Sequence, residues 1–209
     1  MIPGFDPSLP TVGVVVFNDV LMTEVTAPFD VFSKLDKDGK KRFNVITVAE
    51  SSEVVITETG LKLAPDRNFS VCPKLEVLVI PGSYGFAELI KNQALVEFIK
   101  SKNGEAKFTM SNCAGAYLVG ASKIAVGRKI VTYVGGGKDL QEKYPDLLVQ
   151  DDSKVSWVMD GNFISSNGNL ASYISALELL EKMTSREHRK FAESYLYLEQ
   201  LSDWSKNQH

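Results

Sequence analysis

Two cysteines and two histidines are all that this chain of 209 residues offers of the side chains most used for disulfides and metal binding. With only His188 and His209 to draw on, a zinc site is not expected, and neither is any cofactor. Cys72 and Cys113 sit in clearly different contexts, so a disulfide framework is not expected and a reducing cytoplasm is. No apolar run approaches the roughly 20 residues that cross a bilayer. The start Met1-Ile-Pro-Gly-Phe-Asp6 has no signal-peptide pattern. A net charge of −3 gives no lean toward nucleic acid or an anionic membrane. Internal repeats, low-complexity tracts and long linkers are missing too. What remains is a chain with 44% hydrophobic residues, enough for an ample core in one domain spanning 1–209.

Short apolar strands alternate with amphipathic helices. Val12 to Phe17 is a nearly continuous apolar run, the mark of a strand buried on both faces. After the Asn18-Asp19 turn, Pro28 suits the first turn of a helix whose apolar face holds Phe29, Val31, Phe32 and Leu35. Phe43 to Val48 gives a second strand, and Val54–Ile56 with Leu61–Leu63 a hairpin around Gly60. Leu75 to Ile80 is the next buried strand, followed by the loop Pro81-Gly82-Ser83-Tyr84-Gly85. One helix then carries Leu89, Ile90, Val96 and Ile99 inward. A strand over 106–111, a helix over 117–124, and a strand from Lys129 to Thr132 come next. A second hairpin pairs Val155–Val158 with Phe163–Ser165 across Asp160-Gly161. Two helices, Leu170 to Met183 and Glu187 to Trp204, close the chain, the last presenting a stripe of Phe191, Tyr195 and Leu198. The pattern predicts an α/β fold: a mainly parallel sheet between helices, with hairpin insertions.

Cys113 falls at the sharpest corner of this pattern. Small residues at Ser111, Ala114, Gly115 and Ala116 let a strand turn directly into a helix. A thiol there would sit at the helix N-terminus, where free N–H groups and the dipole favour the thiolate. That is the nucleophile-elbow arrangement with cysteine in place of serine. The competing reading is a buried structural cysteine, the commoner fate of a free thiol. In parallel sheets ligands bind beyond the carboxyl ends of the strands. Glu24, the 81–85 loop and Cys113 all fall there. They supply an acid for the proton, backbone donors for a developing anion (the amides of Gly82 and Ala114) and a nucleophile. Taken singly, Gly82 and Gly85 also fit an ordinary turn, and Glu24 a solvated carboxylate before a helix. Cys72, before Pro73, reads as packing, and Asp151-Asp152 as a hairpin edge rather than a cation site.

Val12-Gly-Val-Val-Val-Phe17, Glu24-Val-Thr-Ala-Pro28-Phe-Asp-Val-Phe32, Val79-Ile-Pro-Gly82 and Ser111-Asn-Cys113-Ala-Gly115 together resemble the ThiJ/PfpI superfamily. Its fold is the flavodoxin-like one of class I glutamine amidotransferases. The resemblance runs from about Thr11 to Met183, with the last helix over 187–204 beyond it, and within the superfamily it is nearest to the isocyanide hydratases. It implies Cys113 as nucleophile and Glu24 as the protonated acid beside the sulfur. Gly82 and Ala114 become oxyanion donors, with Ser83 in place of a usual second glycine. It also implies a small-molecule substrate and a homodimer. Four departures go with it. Tyr133 stands where many relatives carry a histidine, which removes the base of a Cys-His protease or amidase. Val134 replaces a common tryptophan, and Ala114 a hydroxyl residue common in the hydratases. Glu24 is one methylene longer than the usual aspartate. Two functional classes follow: a cysteine-dependent enzyme of isocyanide-hydratase type, or a non-catalytic redox sensor working by oxidation of Cys113. Some relatives carry a DNA-binding domain, for which a chain ending at His209 is too short, so no role on DNA is expected.

Overall fold

The first apolar run forms β1 (Thr11–Val15), and all five residues are buried. Its side chains divide with the period of two that a pleated strand imposes. Val12 and Val14 enter one core and Val15 the other. The same division recurs in β6 (Val77–Ile80), with Val77 and Val79 on one side and Leu78 and Ile80 on the other. A strand buried on both faces must be covered by helices on both. The structure, a computed structural model, describes residues 4–204. The expectations drawn from residues 1–3 and His209 lie outside the described residues.

One face of the sheet is covered by α1 (Met22–Ser33) and α6 (Leu170–Met183), through Val25, Val31, Phe32, Ala176, Leu177 and Leu180. The other is covered by α3 (Gln93–Glu105) and α4 (Gly115–Ser122), through Leu95, Ile99, Ala116, Tyr117 and Leu118. The remaining strands of the sheet are β2 (Asn44–Ala49), β5 (Arg67–Asn68), β7 (Phe108–Asn112), β10 (Trp157–Asp160) and β11 (Phe163–Ser166). Among the described residues the central sheet runs β10-β11-β7-β6-β1-β2-β5. All neighbours are parallel except β10, which pairs antiparallel with β11. The mainly parallel α/β sandwich read from the sequence is the fold found. No helix among the described residues is long and apolar enough to cross a membrane.

Several elements differ from their sequence reading, each for a local reason. The hairpin of β3 (Val55–Ile56) and β4 (Lys62–Leu63) forms as expected. The second hairpin is not an insertion, because β11 is a full member of the central sheet beside β7. Pro28 lies in the middle of α1 rather than in its first turn. The single helix expected after β6 is two, α2 (Phe86–Leu89) and α3, because the Asn92 side chain accepts from the Leu95 amide at 3.1 Å and starts a new helix. The strand expected over Lys129–Thr132 stops as β8 (Lys129–Ile130), since the Val131 amide donates to Ser165 Oγ at 2.9 Å instead of to a strand. β8 pairs in parallel with β9 (Leu148–Val149) in a small separate sheet, after α5 (Gly137–Lys143). Neither β9 nor α5 was foreseen. The closing helix is also divided, into α7 (Arg186–Tyr195) and α8 (Leu198–Trp204), at Tyr197, whose φ is +54°. On its stripe Leu198 is packed against the core, Phe191 and Tyr195 meet edge to face at 5.2 Å, and Tyr195 stays exposed.

Candidate active site

Cys113 separates β7 from α4 by a single left-handed residue, φ +52°. That conformation is uncommon for a residue with a Cβ and costs of order 1–3 kcal/mol. Hydrogen bonds hold it at both ends. The Cys113 amide donates to the Ser166 carbonyl at 2.9 Å, and its carbonyl accepts from Thr132 Oγ1 at 2.9 Å. Because Ser166 lies directly across from Asn112 in the parallel β7–β11 pair, the corner is anchored to its neighbouring strand. A further bond, Ser166 Oγ to Asn112 Oδ1 at 2.8 Å, closes the same layer.

Glu24 reaches this corner from the first turn of α1 and is fully buried. Its Oε2 accepts from the Gly82 amide at 2.6 Å. Its Oε1 finds no hydrogen-bond partner among the described residues. That open side faces Cys113 and the Asn169 backbone. Burial, more than any neighbour, pushes the Glu24 carboxyl up to about 7, against the usual 4.5. The Gly82 bond pulls the other way, as do the Cys113 and Asn169 groups that face the open oxygen, and Glu58 adds to the rise. The Cys113 thiol is likewise pushed up, first by burial and then by the Glu24 carboxylate, while the Ala114 amide opposes this. Two acids crowded in one apolar pocket hold a proton between them more tightly than either would in water.

The Gly82 amide therefore points at the carboxyl, unlike the oxyanion donor read from the sequence. The Ala114 amide is the donor that faces the sulfur. Glycine is required at 82, because a Cβ would lie 2.8 Å from the Ala114 nitrogen and 3.0 Å from Glu24 Oε2. Ser83 is buried, and its Oγ accepts from the Gly85 amide at 2.9 Å, which shapes the loop.

Sequence reasoning assigned no role at the site to the turn after β11. Gly168 adopts φ +91°, and a Cβ there would fall 2.6 Å from Cys113 Cβ and 3.3 Å from its Sγ. Thr132, as noted, holds the Cys113 carbonyl. The available signal was positional: Asn167-Gly168 follows a strand and opens a helix, as the 81–85 loop does.

Cys113 opens onto a cleft of about 700 Å³ whose lining includes Leu21, Phe86, Tyr133, Val134, Asn169 and Leu170. Among the described residues no Lys, Arg, His, Asp or Glu side chain lines it. Tyr133 forms part of its wall, with space left beside the sulfur. Its ring backs onto Gly136 so closely that a Cβ there would lie 2.5 Å from it. Tyr117 stands behind it, ring centres 6.3 Å apart, and the Tyr117 hydroxyl donates to Asp139 Oδ2 at 2.6 Å. Val134 is exposed at the rim. Asp152 accepts from the Gly135 and Gly137 amides at 3.0 and 2.7 Å, pinning the glycine loop behind Tyr133, while Asp151 pairs with Lys154 at 2.7 Å. Cys72 lies apart from the cleft, half-buried, its thiol pushed up to about 11 by burial. A second cavity of about 400 Å³, by the ends of β1 and β2, contains neither Cys113 nor Glu24.

A parallel α/β sandwich with a cysteine elbow beside a buried acid is a recognisable class. The model of the DJ-1/PfpI family matches residues 10–182, and the chain belongs to that family. It is 29% identical over 172 residues to the isonitrile hydratase of Pseudomonas putida, spanning 82% of this chain and 71% of that protein. To the protein dj-1beta of Drosophila melanogaster it is 26% identical over 147 residues, 68% of this chain and 76% of that one. Among solved structures, a ThiJ/PfpI family protein from Pseudomonas syringae superposes with a TM-score of 0.80 at 19% identity, covering 94% of this chain and 81% of its own.

Proposed function

We propose that the chain is a cysteine-dependent enzyme that hydrates isocyanides, with Cys113 as nucleophile and Glu24 as the group that gives and takes the proton. The observation that carries this reading is the buried Glu24 carboxyl set beside a thiol that opens onto an uncharged cleft. With the one proton that the pair shares moved from the Cys113 thiol to Glu24, the Cys113 thiolate adds to the terminal carbon of R–N≡C, and that proton passes from the Glu24 carboxyl to the carbon. The product is a thioimidate, Cys–S–CH=N–R. Water adds across the C=N bond, its oxygen to carbon and one proton to nitrogen. The C–S bond then breaks, the hydroxyl proton returns to the Glu24 carboxylate, and R–NH–CHO leaves. One water is consumed, and both protein groups end as they began. The Ala114 amide beside the sulfur stabilises the thiolate at both ends of the cycle. The isonitrile hydratase relative supports the choice of reaction.

The test is formamide production from a simple alkyl or aryl isocyanide. Activity is expected in the wild type, none in Cys113→Ala, and a fall of roughly 100-fold or more in Glu24→Gln. A wild-type protein with a reduced thiol and no turnover would sink this reading for the substrates tried. The second reading, a redox sensor, is favoured by the same acid and amide flanking the sulfur, which would also stabilise a sulfinate. It requires peroxide to oxidise Cys113 ahead of Cys72, which mass spectrometry would read directly.

A further inference from the structure

Glu24 belongs to the first turn of α1, and the start of that helix is capped from far away in sequence. Leu21, the residue before the helix, makes no side-chain cap. Instead the carboxylate of Glu58, at the tip of the β3–β4 hairpin, accepts from the Met22 amide at 2.9 Å. The hairpin is itself tied to the β1–α1 turn. The Glu58 amide donates to the Val20 carbonyl at 3.2 Å, and the Asp19 amide to the Ile56 carbonyl at 2.8 Å. Asn18 Oδ1 accepts from the Ile56 amide at 3.0 Å. A negative charge is thus fixed at the N-terminus of the helix whose first turn carries the candidate acid.

We propose that Glu58 is a positioning residue for Glu24: it sets the first turn of α1 and, by its charge, strengthens the hold of the Glu24 carboxyl on its proton. The proposal rests on the reading of Glu24 as the proton-handling group. Among the described residues, the titratable groups that act most on Glu24 are Cys113 from the β7–α4 corner and Glu58 from the hairpin. A second carboxylate makes ionisation of the first less favourable. The hairpin, outside the central sheet, thereby becomes part of the site.

The experiment follows the Glu24 carboxyl itself, by ¹³C NMR titration of glutamate-labelled protein, with its resonance assigned through Glu24→Gln. In Glu58→Gln the side-chain oxygen still accepts from the Met22 amide but the charge is gone. The Glu24 midpoint is expected to move down by roughly half a pH unit, about a threefold change in its ionisation ratio, with little loss of thermal stability. Glu58→Asp keeps the charge and shortens the reach, so it is expected to lower stability and leave the midpoint raised. An unchanged midpoint in Glu58→Gln, or a midpoint that falls as far in Glu58→Asp, would make Glu58 a helix cap only and overturn the proposal. Because the titration reads a carboxyl and not turnover, its failure is separable from a failure of the hydratase reading.

Discussion

The Gly82 amide donates to Glu24 Oε2 at 2.6 Å, while the Gly82 carbonyl accepts from the Leu21 amide at 3.0 Å. One residue of the loop after β6 thus grips the start of α1 from both sides, by its backbone alone. Gly82→Ala keeps both groups but adds a Cβ within 2.8 Å of the Ala114 nitrogen and 3.0 Å of the Gly115 nitrogen. Backbone cannot rotate away as a side chain does, so the loop must shift. A stability loss of about 1–3 kcal/mol is expected in denaturant unfolding, together with slower alkylation of Cys113 by iodoacetamide.

Glu24 makes the stability of the fold depend on pH in a particular direction. Its folded value of about 7 stands above the unfolded 4.5, so the folded state binds the proton more tightly. The resulting stabilisation is complete below the unfolded value and is lost as pH rises through the folded one. Between these values this single group is expected to remove about 3 kcal/mol of unfolding free energy. Glu24→Gln cannot ionise and should flatten that part of the profile. Urea unfolding of both proteins from pH 4.5 to 8 measures the difference, and parallel profiles would contradict it.

Much of this architecture is legible because the signals are local. Val12–Phe17 and Leu75–Ile80 announce buried strands, and small residues around Cys113 announce a sharp corner. The tie between Glu24 and Gly82 spans 58 positions and has no local signature. Gly82 was read as a donor to an anion because a glycine reveals backbone freedom and not where its amide points. Thr132 and Gly168 escaped for a similar reason. One looked like the end of a strand and the other like an ordinary turn; the β7–β11 register brings Gly168 up to Cys113, and the Val131–Ser165 bond brings Thr132 beside it. The breaks at Asn92 and Tyr197 were missed because an unbroken amphipathic stripe hides a cap within it.

The wall of the cleft is held by a buried hydroxyl. Tyr117 is completely buried and donates to Asp139 Oδ2 at 2.6 Å, joining α4 to α5 behind Tyr133. Its hydroxyl is held protonated by burial and by Asp139, so its ionisation plays no part near neutrality. Tyr117→Phe removes one bond to a charged acceptor without changing ring packing. A loss of about 1.5–3 kcal/mol is expected by thermal or chemical unfolding. Since the ring itself stays in place, KM in the proposed isocyanide hydration should change less than twofold (about 0.4 kcal/mol).

The strained corner at Cys113 gives the sharpest structural test, because it can be probed without touching the sulfur. Thr132 is fully buried, and its Oγ1 donates to the Cys113 carbonyl at 2.9 Å. The other bond to that carbonyl, from the Ala116 amide, is longer at 3.3 Å. Thr132→Val is nearly isosteric and leaves the carbonyl with the weaker partner. A loss of about 1–3 kcal/mol is expected, the cost of an under-satisfied buried acceptor. If the left-handed backbone at residue 113 exists to present the thiol to the cleft, the loss should reach chemistry as well. Relaxing φ from +52° would turn the sulfur away from the Ala114 amide, so alkylation of Cys113 should slow along with unfolding. A variant that is less stable yet alkylated at the wild-type rate would show that the corner needs no such clamp and that the rigidity of β7 alone aims the thiol.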